Sequence, residues 1–143
     1  MATVDTVDAV RSFITAFNTR DVDALVAMCH ERVLYTLDDN YPTYTPDFLR
    51  NAIEMTLKRA GPKALYAYAT HDGEPVAVLW APDRKTKAPA VIRVTNFNAF
   101  DGKIRLITDS TSPGKLARVT CEPPDELVQR EPEAAPDAQP KTE

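Results

Sequence analysis

The spacing of apolar residues changes once along the chain, at Pro62. Before this residue, apolar side chains recur at steps of three and four, which is the period of an amphipathic helix. After it they follow the alternating pattern of a β-strand. A chain with helices first and strands afterwards is predicted to fold as an α+β domain, in which the helices cover one face of a curved sheet.

Three helices and one short strand are predicted before the change. The third helix has the clearest limits, because Thr45 is a good N-cap, proline favours the first helical position and Gly61 favours the end. The residues VLYTL are β-branched and aromatic enough to form the strand. In order, the predicted elements are a helix from about Val4 to Phe17, a helix capped by Asp21, a strand over 33–37 and a helix that begins at Pro46 and is stopped by Gly61-Pro62.

Four strands are predicted after the change. The segments ALYAYAT, PVAVLWA, AVIRVTNFNAF and KIRLITDS are separated by HDGE, PDRKTKAP and DG, which are turn or loop sequences. Connections this short join neighbouring antiparallel strands. The sheet is therefore expected to be antiparallel or mixed.

Length and composition favour one soluble domain. The chain has 143 residues and no run of roughly 20 apolar residues that could span a membrane. Its first residues lack the pattern of a signal peptide, so a cytoplasmic location is expected. Cys29 and Cys121 are far apart and no histidine or acid cluster has ligand spacing, so neither a metal nor another cofactor is expected.

Residues 122–143 differ in composition from residues 1–121. They contain seven acids against two bases and five of the twelve prolines, with few large apolar side chains. Such a segment cannot bury enough surface to offset the cost of ordering it, so an acidic, disordered tail is predicted after a domain at 1–121. Acidic charge here, and no basic stripe elsewhere, disfavour a nucleic-acid partner.

The order of elements, together with AFNTRDVDALVAMCHERV and FDGKIRLITDS, resembles the NTF2-like superfamily and, within it, the SnoaL-like group. The resemblance covers about residues 4 to 120. It implies a cone-shaped fold whose curved sheet wraps a long helix and leaves a pocket at the open end. It also implies a homodimer formed through a face of the sheet. These motifs indicate a fold and do not indicate a reaction.

The ketosteroid isomerases of this superfamily are one comparison that the resemblance allows. Phe13 stands where their oxyanion-stabilising tyrosine lies, and Leu37 where their general base lies. Their third residue falls at about Thr95 or Asn96. Neither Phe13 nor Leu37 can donate or accept the proton, so steroid isomerase activity is not expected.

The limonene-1,2-epoxide hydrolases are a second comparison. Tyr35 matches their tyrosine and Asp109 matches their final aspartate, whereas Leu37 replaces their asparagine. In place of their Arg-x-Asp the chain has Arg93-Val94-Thr95, so the water-activating group is incomplete. Asp109 is accordingly either a pocket acid or general base whose pKa is raised by burial, or a structural aspartate at a strand end.

A third likeness is with the SnoaL-like domain attached to some extracytoplasmic-function sigma factors. There a similar last strand is followed by a segment ending in Asn-Pro-x-Lys-Leu, and here DGKIRLITDSTSPGKL has that form. The DNA-binding regions of a sigma factor are not present in the sequence. This likeness keeps a regulatory or ligand-sensing module as an alternative.

Asp38 and Asp39 raise a separate question, because two acids follow the first strand directly. If Tyr35 faces the pocket, alternation places Leu37 there as well and turns Asp38 away. Only a β-bulge would rotate Asp38 inward as a second catalytic candidate; otherwise both acids belong to a turn. Pocket-lining residues are expected among Tyr35, Leu37, Phe13, Phe17, Tyr44, Trp80 and Asn96.

Two functions remain open from the sequence. In the first, the domain binds a small, mostly apolar molecule and performs acid-base chemistry of the isomerase, hydrolase or cyclase type with Asp109. In the second, it is a non-catalytic ligand-binding, regulatory or dimerisation module, in agreement with the apolar Phe13 and Leu37 at two catalytic positions of the superfamily.

Overall fold

The computed structural model describes residues 4–38, 43–44 and 46–128, and at residues 4, 5, 37, 43, 44 and 46–49 it describes the backbone alone. The predicted α+β class is confirmed, with three helices before the main run of strands. The elements are α1 (Val4–Asn18), α2 (Val22–Ala27), β1 (Cys29–Leu37), β2 (Thr43–Tyr44), α3 (Pro46–Ala60), β3 (Leu65–His71), β4 (Glu74–Pro82), β5 (Pro89–Phe100), β6 (Lys103–Ser110), α4 (Pro113–Arg118) and a 3-10 turn at Asp125–Leu127.

The strands form one six-stranded mixed sheet in the order β2-β1-β6-β5-β4-β3. Strands β3 to β6 make the antiparallel meander that their short connections predict. The exception is β1, which lies parallel to β6 although the two are far apart in the chain. The two strands that carry Tyr35 and Asp109 are therefore neighbours in the sheet.

Strand β1 begins at Cys29, four residues before the predicted start. Its first residue pairs with Ile104 of β6, and the Ile104 N–H donates to the carbonyl of Met28 at 3.0 Å. This long-range pairing ends α2 at Ala27, where the apolar spacing alone is compatible with a longer helix. A register shift separates this first contact from the regular pairing that starts at Leu34.

Helix α1 packs across one face of the sheet, called here the inner face. Strand β4 is almost entirely buried because both of its faces are covered. Its alternate residues Ala77 and Leu79 belong to the core under α1. Val78 and Trp80 belong to a second apolar cluster on the outer face.

The outer face is covered in part by the C-terminal strap, a name used here for residues 113–128. Leu116, Val119 and Cys121 pack against the outer cluster, and Leu127 is only 7% exposed there. The strap thus extends into the segment 122–143 assigned above to the tail, and residues 129–143 lie outside the described residues. Of the helices in the described ranges, none has the length and apolar character needed to cross a membrane.

Candidate functional site

Asp109 lies on the inner face of the sheet, near the end of β6, and is 3% exposed. Its neighbour across the sheet on β5 is Thr95, and on the other side Leu37 of β1 occupies the paired position. Tyr35, two residues earlier on β1, points to the same face and is also buried. The mixed sheet therefore brings side chains from three strands around one carboxylate.

Three side chains of the described residues donate hydrogen bonds to this carboxylate. The Tyr35 hydroxyl donates to Oδ2, and the Thr95 hydroxyl donates to Oδ1 at 2.6 Å. Nη1 of Arg93 donates to Oδ2 at 3.2 Å and forms a partly buried ion pair. An ionised carboxylate offers about four acceptor positions, so one position on Oδ1 remains beyond these donors.

The direction of each bond in a longer chain of hydrogen bonds follows from this arrangement. The Tyr66 hydroxyl lies 2.8 Å from Thr95 Oγ1. Because the single hydroxyl proton of Thr95 is directed to Asp109, Tyr66 must be the donor to Thr95. The chain therefore runs from Tyr66 through Thr95 to Asp109 and polarises each bond toward the carboxylate.

Arg93 also joins the sheet to α3. Its Nη1 donates to Thr56 Oγ1 at 2.7 Å, and the Thr56 hydroxyl donates to the carbonyl of Ala52 at 2.9 Å. A register shift between Leu79 and Trp80 of β4 lies opposite the residue before Arg93, so Ile92 has no partner on that strand. Such a bulge redirects a strand locally, and here the strand presents Arg93 to α3 and Asp109 together.

Two adjoining spaces lie beside this network. The inner cavity is bounded by Phe13, Phe17, Tyr66 and Asp109, and about 20 Å³ of it is open to the centre of a water molecule, which is room for about one water. The second space, called here the mouth, lies between α3 and β5, and about 210 Å³ of it is open to the centre of a water molecule. Four residues line both spaces, namely Tyr35, Ala52, Thr56 and Arg93.

The electrostatics of the site depend on burial. Burial raises the pKa of Asp109 above its ordinary value, while Arg93 and the hydrogen bonds from Thr95 and Tyr35 oppose the rise without reversing it. Burial also raises the pKa of Tyr35 and of Tyr66, and the charge of Asp109 adds to both shifts, so both phenols stay protonated donors. For Arg93, burial lowers the pKa, but Asp109, Tyr66 and Tyr35 together outweigh burial, so the pKa is raised and the guanidinium stays charged.

Several residues singled out in the sequence meet at this site, and three of the described ones, Trp80, Asn96 and Asp38, do not. Phe13, Phe17, Tyr35 and Asp109 line the inner cavity. Trp80 belongs to the outer cluster. Asn96 follows Thr95 and has the opposite orientation, and its amide oxygen accepts from Lys115 of the strap at 3.0 Å.

Asp38 is exposed and lies at the turn that ends β1. Its carboxylate accepts from the Thr111 N–H at 2.8 Å and from the Thr111 hydroxyl at 2.7 Å, and these bonds lower its pKa. Its N–H donates to the carbonyl of Asp109 at 2.7 Å, and its φ is 53°. The pairing of β1 with β6 is regular from Leu34 to Leu37, so the register contains no bulge there.

The side chains of Leu37 and Tyr44, and all of Asp39 and Thr45, lie outside the described residues. Arg93, Thr56 and Tyr66 complete the network without having been selected as site residues from the sequence. An arginine inside the otherwise uncharged run AVIRVT is a signal that could have identified Arg93, because a charge on a half-buried strand needs a partner. In the described ranges, no three His, Cys, Asp or Glu side chains are grouped to hold a metal ion.

Residues 10–107 match the family model of the SnoaL-like domain. This match covers more than half of the chain, and the chain therefore belongs to the SnoaL-like family, whose members have the NTF2-like cone fold. No curated protein matches the sequence.

Similar solved structures support the same fold. A candidate polyketide cyclase of Xanthomonas campestris pv. campestris has a TM-score of 0.55 and 16% identity, covering 81% of this chain and 97% of that one. The Mycobacterium tuberculosis extracytoplasmic function sigma factor SigJ has a TM-score of 0.62 and 23% identity, covering 79% of this chain and 44% of that one.

An epoxide hydrolase of M. tuberculosis of the limonene epoxide hydrolase type gives a TM-score of 0.52 and 15% identity, covering 80% of this chain and 88% of that one. At identities this low, all three likenesses show the shared fold alone.

Proposed function

We propose that this domain binds a small, mostly apolar molecule in the mouth and inner cavity, and that Asp109 acts there as a general base. The observation that carries the proposal is the buried Asp109 carboxylate, which is held by three donors and retains an acceptor position on Oδ1 among the described residues. A base in a water-poor cavity must be positioned before its substrate arrives. Tyr35, Thr95 and Arg93 supply that positioning.

The direction of the pKa shift suits this role. A carboxylate with an ordinary pKa is a weak base at neutral pH, and burial raises the pKa of Asp109 toward the range in which it accepts a proton more readily. Arg93 limits the rise and stabilises the ionised form before the proton is taken. The proton passes from the bound molecule, or from a water in the inner cavity, to Oδ1 of Asp109, and the Arg93 charge remains in place.

The chemistry differs from that of the epoxide hydrolases compared above. Thr95 stands where the epoxide hydrolases have the aspartate of Arg-x-Asp, and a threonine hydroxyl is a poor general acid. The proposed reaction therefore needs one base and no strong acid opposite it. Proton abstraction beside a carbonyl group, or addition of water to an activated bond, meets that requirement.

A second candidate function is a non-catalytic ligand-binding or regulatory module. It is favoured by the small inner cavity, which has room for about one water, and by the number of donors that already satisfy Asp109. In this alternative the carboxylate network serves to hold three strands together. A homodimer formed through a sheet face stays a prediction in both cases.

The experiment that decides is a conversion assay with a matched pair of variants. Small epoxides, esters and enolisable ketones, with and without a carboxylate group, are incubated with the protein and followed by NMR. We expect wild type and Asp101→Asn, an exposed acid at the β5–β6 turn, to convert at least one compound alike. Asp109→Asn is expected to be slower by about 100-fold or more, the usual effect of losing a general base.

Two outcomes would contradict the proposal. Conversion by Asp109→Asn at the wild-type rate would show that Asp109 is not the base. Binding of compounds without conversion by any variant would favour the ligand-binding module.

A further inference from the structure

The mouth has a feature that a site for neutral apolar molecules does not need, which is an arginine on its rim. Arg59 lies in the last turn of α3 and lines the mouth together with Met55 and Ala52. These residues are spaced by three and four along the helix, so they form one stripe facing the opening. The stripe is apolar over Ala52 and Met55 and cationic at its end.

The charge of Arg59 is not offset locally. No carboxylate of the described residues lies within ion-pair distance of it, whereas Arg50 on the same helix pairs with Asp23 at 2.7 Å. The deeper cation of the mouth, Arg93, is already paired with Asp109. Arg59 is thus the cation of the mouth that is available to a ligand.

A second guanidinium lies at the same end of the helix. Nη2 of Arg84, from the loop between β4 and β5, is 3.4 Å from the carbonyl oxygen of Arg59. None of the seven described residues that line the mouth is acidic. An opening with cations and no acid among its lining residues attracts anions and raises their local concentration.

The exposure of Met55 is a further indication that the rim of the mouth contacts a ligand. Met55 is 45% exposed, although a large apolar side chain on a helix is more often buried. Its flexible thioether lies beside Arg59 on the rim, where it would contact the apolar part of a bound molecule. The rim therefore offers an apolar contact and a guanidinium within one turn of α3.

We propose that the ligand of this site is a small amphipathic carboxylate, whose apolar body lies along Ala52 and Met55 and whose anionic end is bound by Arg59. The inference rests on the proposed function, since it names the chemical class of molecule for the same site. Arginine suits this role because its planar fork pairs with a carboxylate through two hydrogen bonds. Arg59 acts here in recognition, at a distance from the proton transfer assigned to Asp109.

The test compares 4-phenylbutyrate with 4-phenylbutanamide, which has the same shape without the charge. Dissociation constants are measured by NMR titration for wild type, Arg59→Gln and Lys58→Gln. Lys58 is a matched control because it is exposed in the same turn but does not line the mouth. Wild type and Lys58→Gln are expected to bind the acid about tenfold more tightly than the amide, and Arg59→Gln is expected to bind both equally. Raising the salt concentration should weaken binding of the acid alone.

The outcomes separate this inference from the proposed function. Equal binding of acid and amide by wild type would overturn the inference and leave the role of Asp109 untouched. An equal loss for both probes in Arg59→Gln would show that the residue only shapes the mouth, and would also overturn it. If neither probe binds wild type, the inference falls, whereas the general-base proposal is decided by the two outcomes of the conversion assay described above.

Discussion

The hydroxyl of Tyr35 donates a hydrogen bond to the carboxylate of Asp109 across 74 residues of sequence. Both side chains are buried on the inner face of the sheet, on two strands that run parallel. The bond fixes the side chain of Asp109 and supplies one of the three donors that stabilise its charge. The first prediction follows from its removal.

Tyr35→Phe removes this donor and keeps the ring. A hydrogen bond to a charged group contributes about 1.5–3 kcal/mol, so we expect the free energy of unfolding to fall by an amount in that range. Urea denaturation measures this loss in the free energy of unfolding. Tyr68→Phe is the control, because Tyr68 is half-buried outside the Asp109 network. Equal losses in both variants would show that the Tyr35 hydroxyl has no special role.

The second prediction concerns the pH dependence of stability. Because the pKa of Asp109 is raised in the folded state, the folded protein binds its proton more tightly than the unfolded chain. The contribution of this group to stability is then full below the ordinary value of 3.8 and is lost as the pH rises through the folded pKa. Relative to Asp109→Asn, wild type should lose unfolding free energy across that window, by at most about 1.4 kcal/mol per pH unit.

This comparison also decides whether burial or the ion pair with Arg93 has the stronger effect on the pKa of Asp109. If wild type instead gains stability over Asp109→Asn as the pH rises, the ion pair with Arg93 outweighs burial and the pKa is lowered. Unfolding in urea at a series of pH values from 3 to 8 gives the required curve. The quantity to compare is the change with pH in the difference between the unfolding free energies of wild type and Asp109→Asn, and not the absolute stability of either protein.

The third prediction concerns Asp38. Its side chain ties the turn after β1 to Thr111, and its backbone has a left-handed conformation with φ of 53°. Asp38→Ala removes both bonds and places an alanine where asparagine and aspartate are better tolerated, at a cost of about 1–2 kcal/mol. Asp38→Asn keeps the conformation and one acceptor, so it should lose less. Thermal unfolding of both variants checks the order.

If Asp38 is a turn residue, neither variant should lower the conversion rate in the assay proposed above. A loss of rate in Asp38→Asn with unchanged stability would instead return Asp38 to the list of catalytic candidates. The two measurements together therefore separate the two roles.

The fourth prediction concerns the C-terminal strap. Leu127 is 7% exposed against the outer cluster that contains Trp80, whereas Val128 beside it is 37% exposed. Leu127→Ala should lower the free energy of unfolding by about 2 kcal/mol, and Val128→Ala by less than about 0.5 kcal/mol. Trp80 is the single tryptophan of the chain, so a red shift of its fluorescence would report that the strap has loosened. An unchanged spectrum and stability in Leu127→Ala would mean that the strap adds nothing to this face.

The fold was largely predictable because its strongest signals are local. Proline at position 46 and glycine at position 61 bracket α3, which runs from Pro46 to Ala60. The alternation after Pro62 predicted the four strands of the meander. By contrast, the start of β1 at Cys29 depends on a partner in β6, and no local pattern contains that information.

The site was predictable only in part, and the reason is register. The sequence and the resemblance single out Tyr35 and Asp109, whereas the motif Arg93-Val94-Thr95 differs from the Arg-x-Asp of the epoxide hydrolases and does not predict a contact with Asp109. In the structure Thr95 lies directly opposite Asp109, and Arg93 reaches the same carboxylate from the same strand. Trp80 shows the same limit, because alternation places a residue on one of two faces without identifying which face is inner.

The parallel pairing of β1 with β6 has a consequence for folding. Bringing β1 and β6 together closes a long loop, which costs chain entropy before any contact between the two strands stabilises the pair. Strand pairs of high contact order therefore tend to form late. We expect the meander of β3 to β6 to become protected from hydrogen exchange first, and β1 to join it in the last step. Tyr35 meets Asp109 only in that step, so a partly folded chain would have no assembled site and activity would report complete folding. Pulse-labelling exchange that shows β1 protected before β5 and β6 would contradict this order.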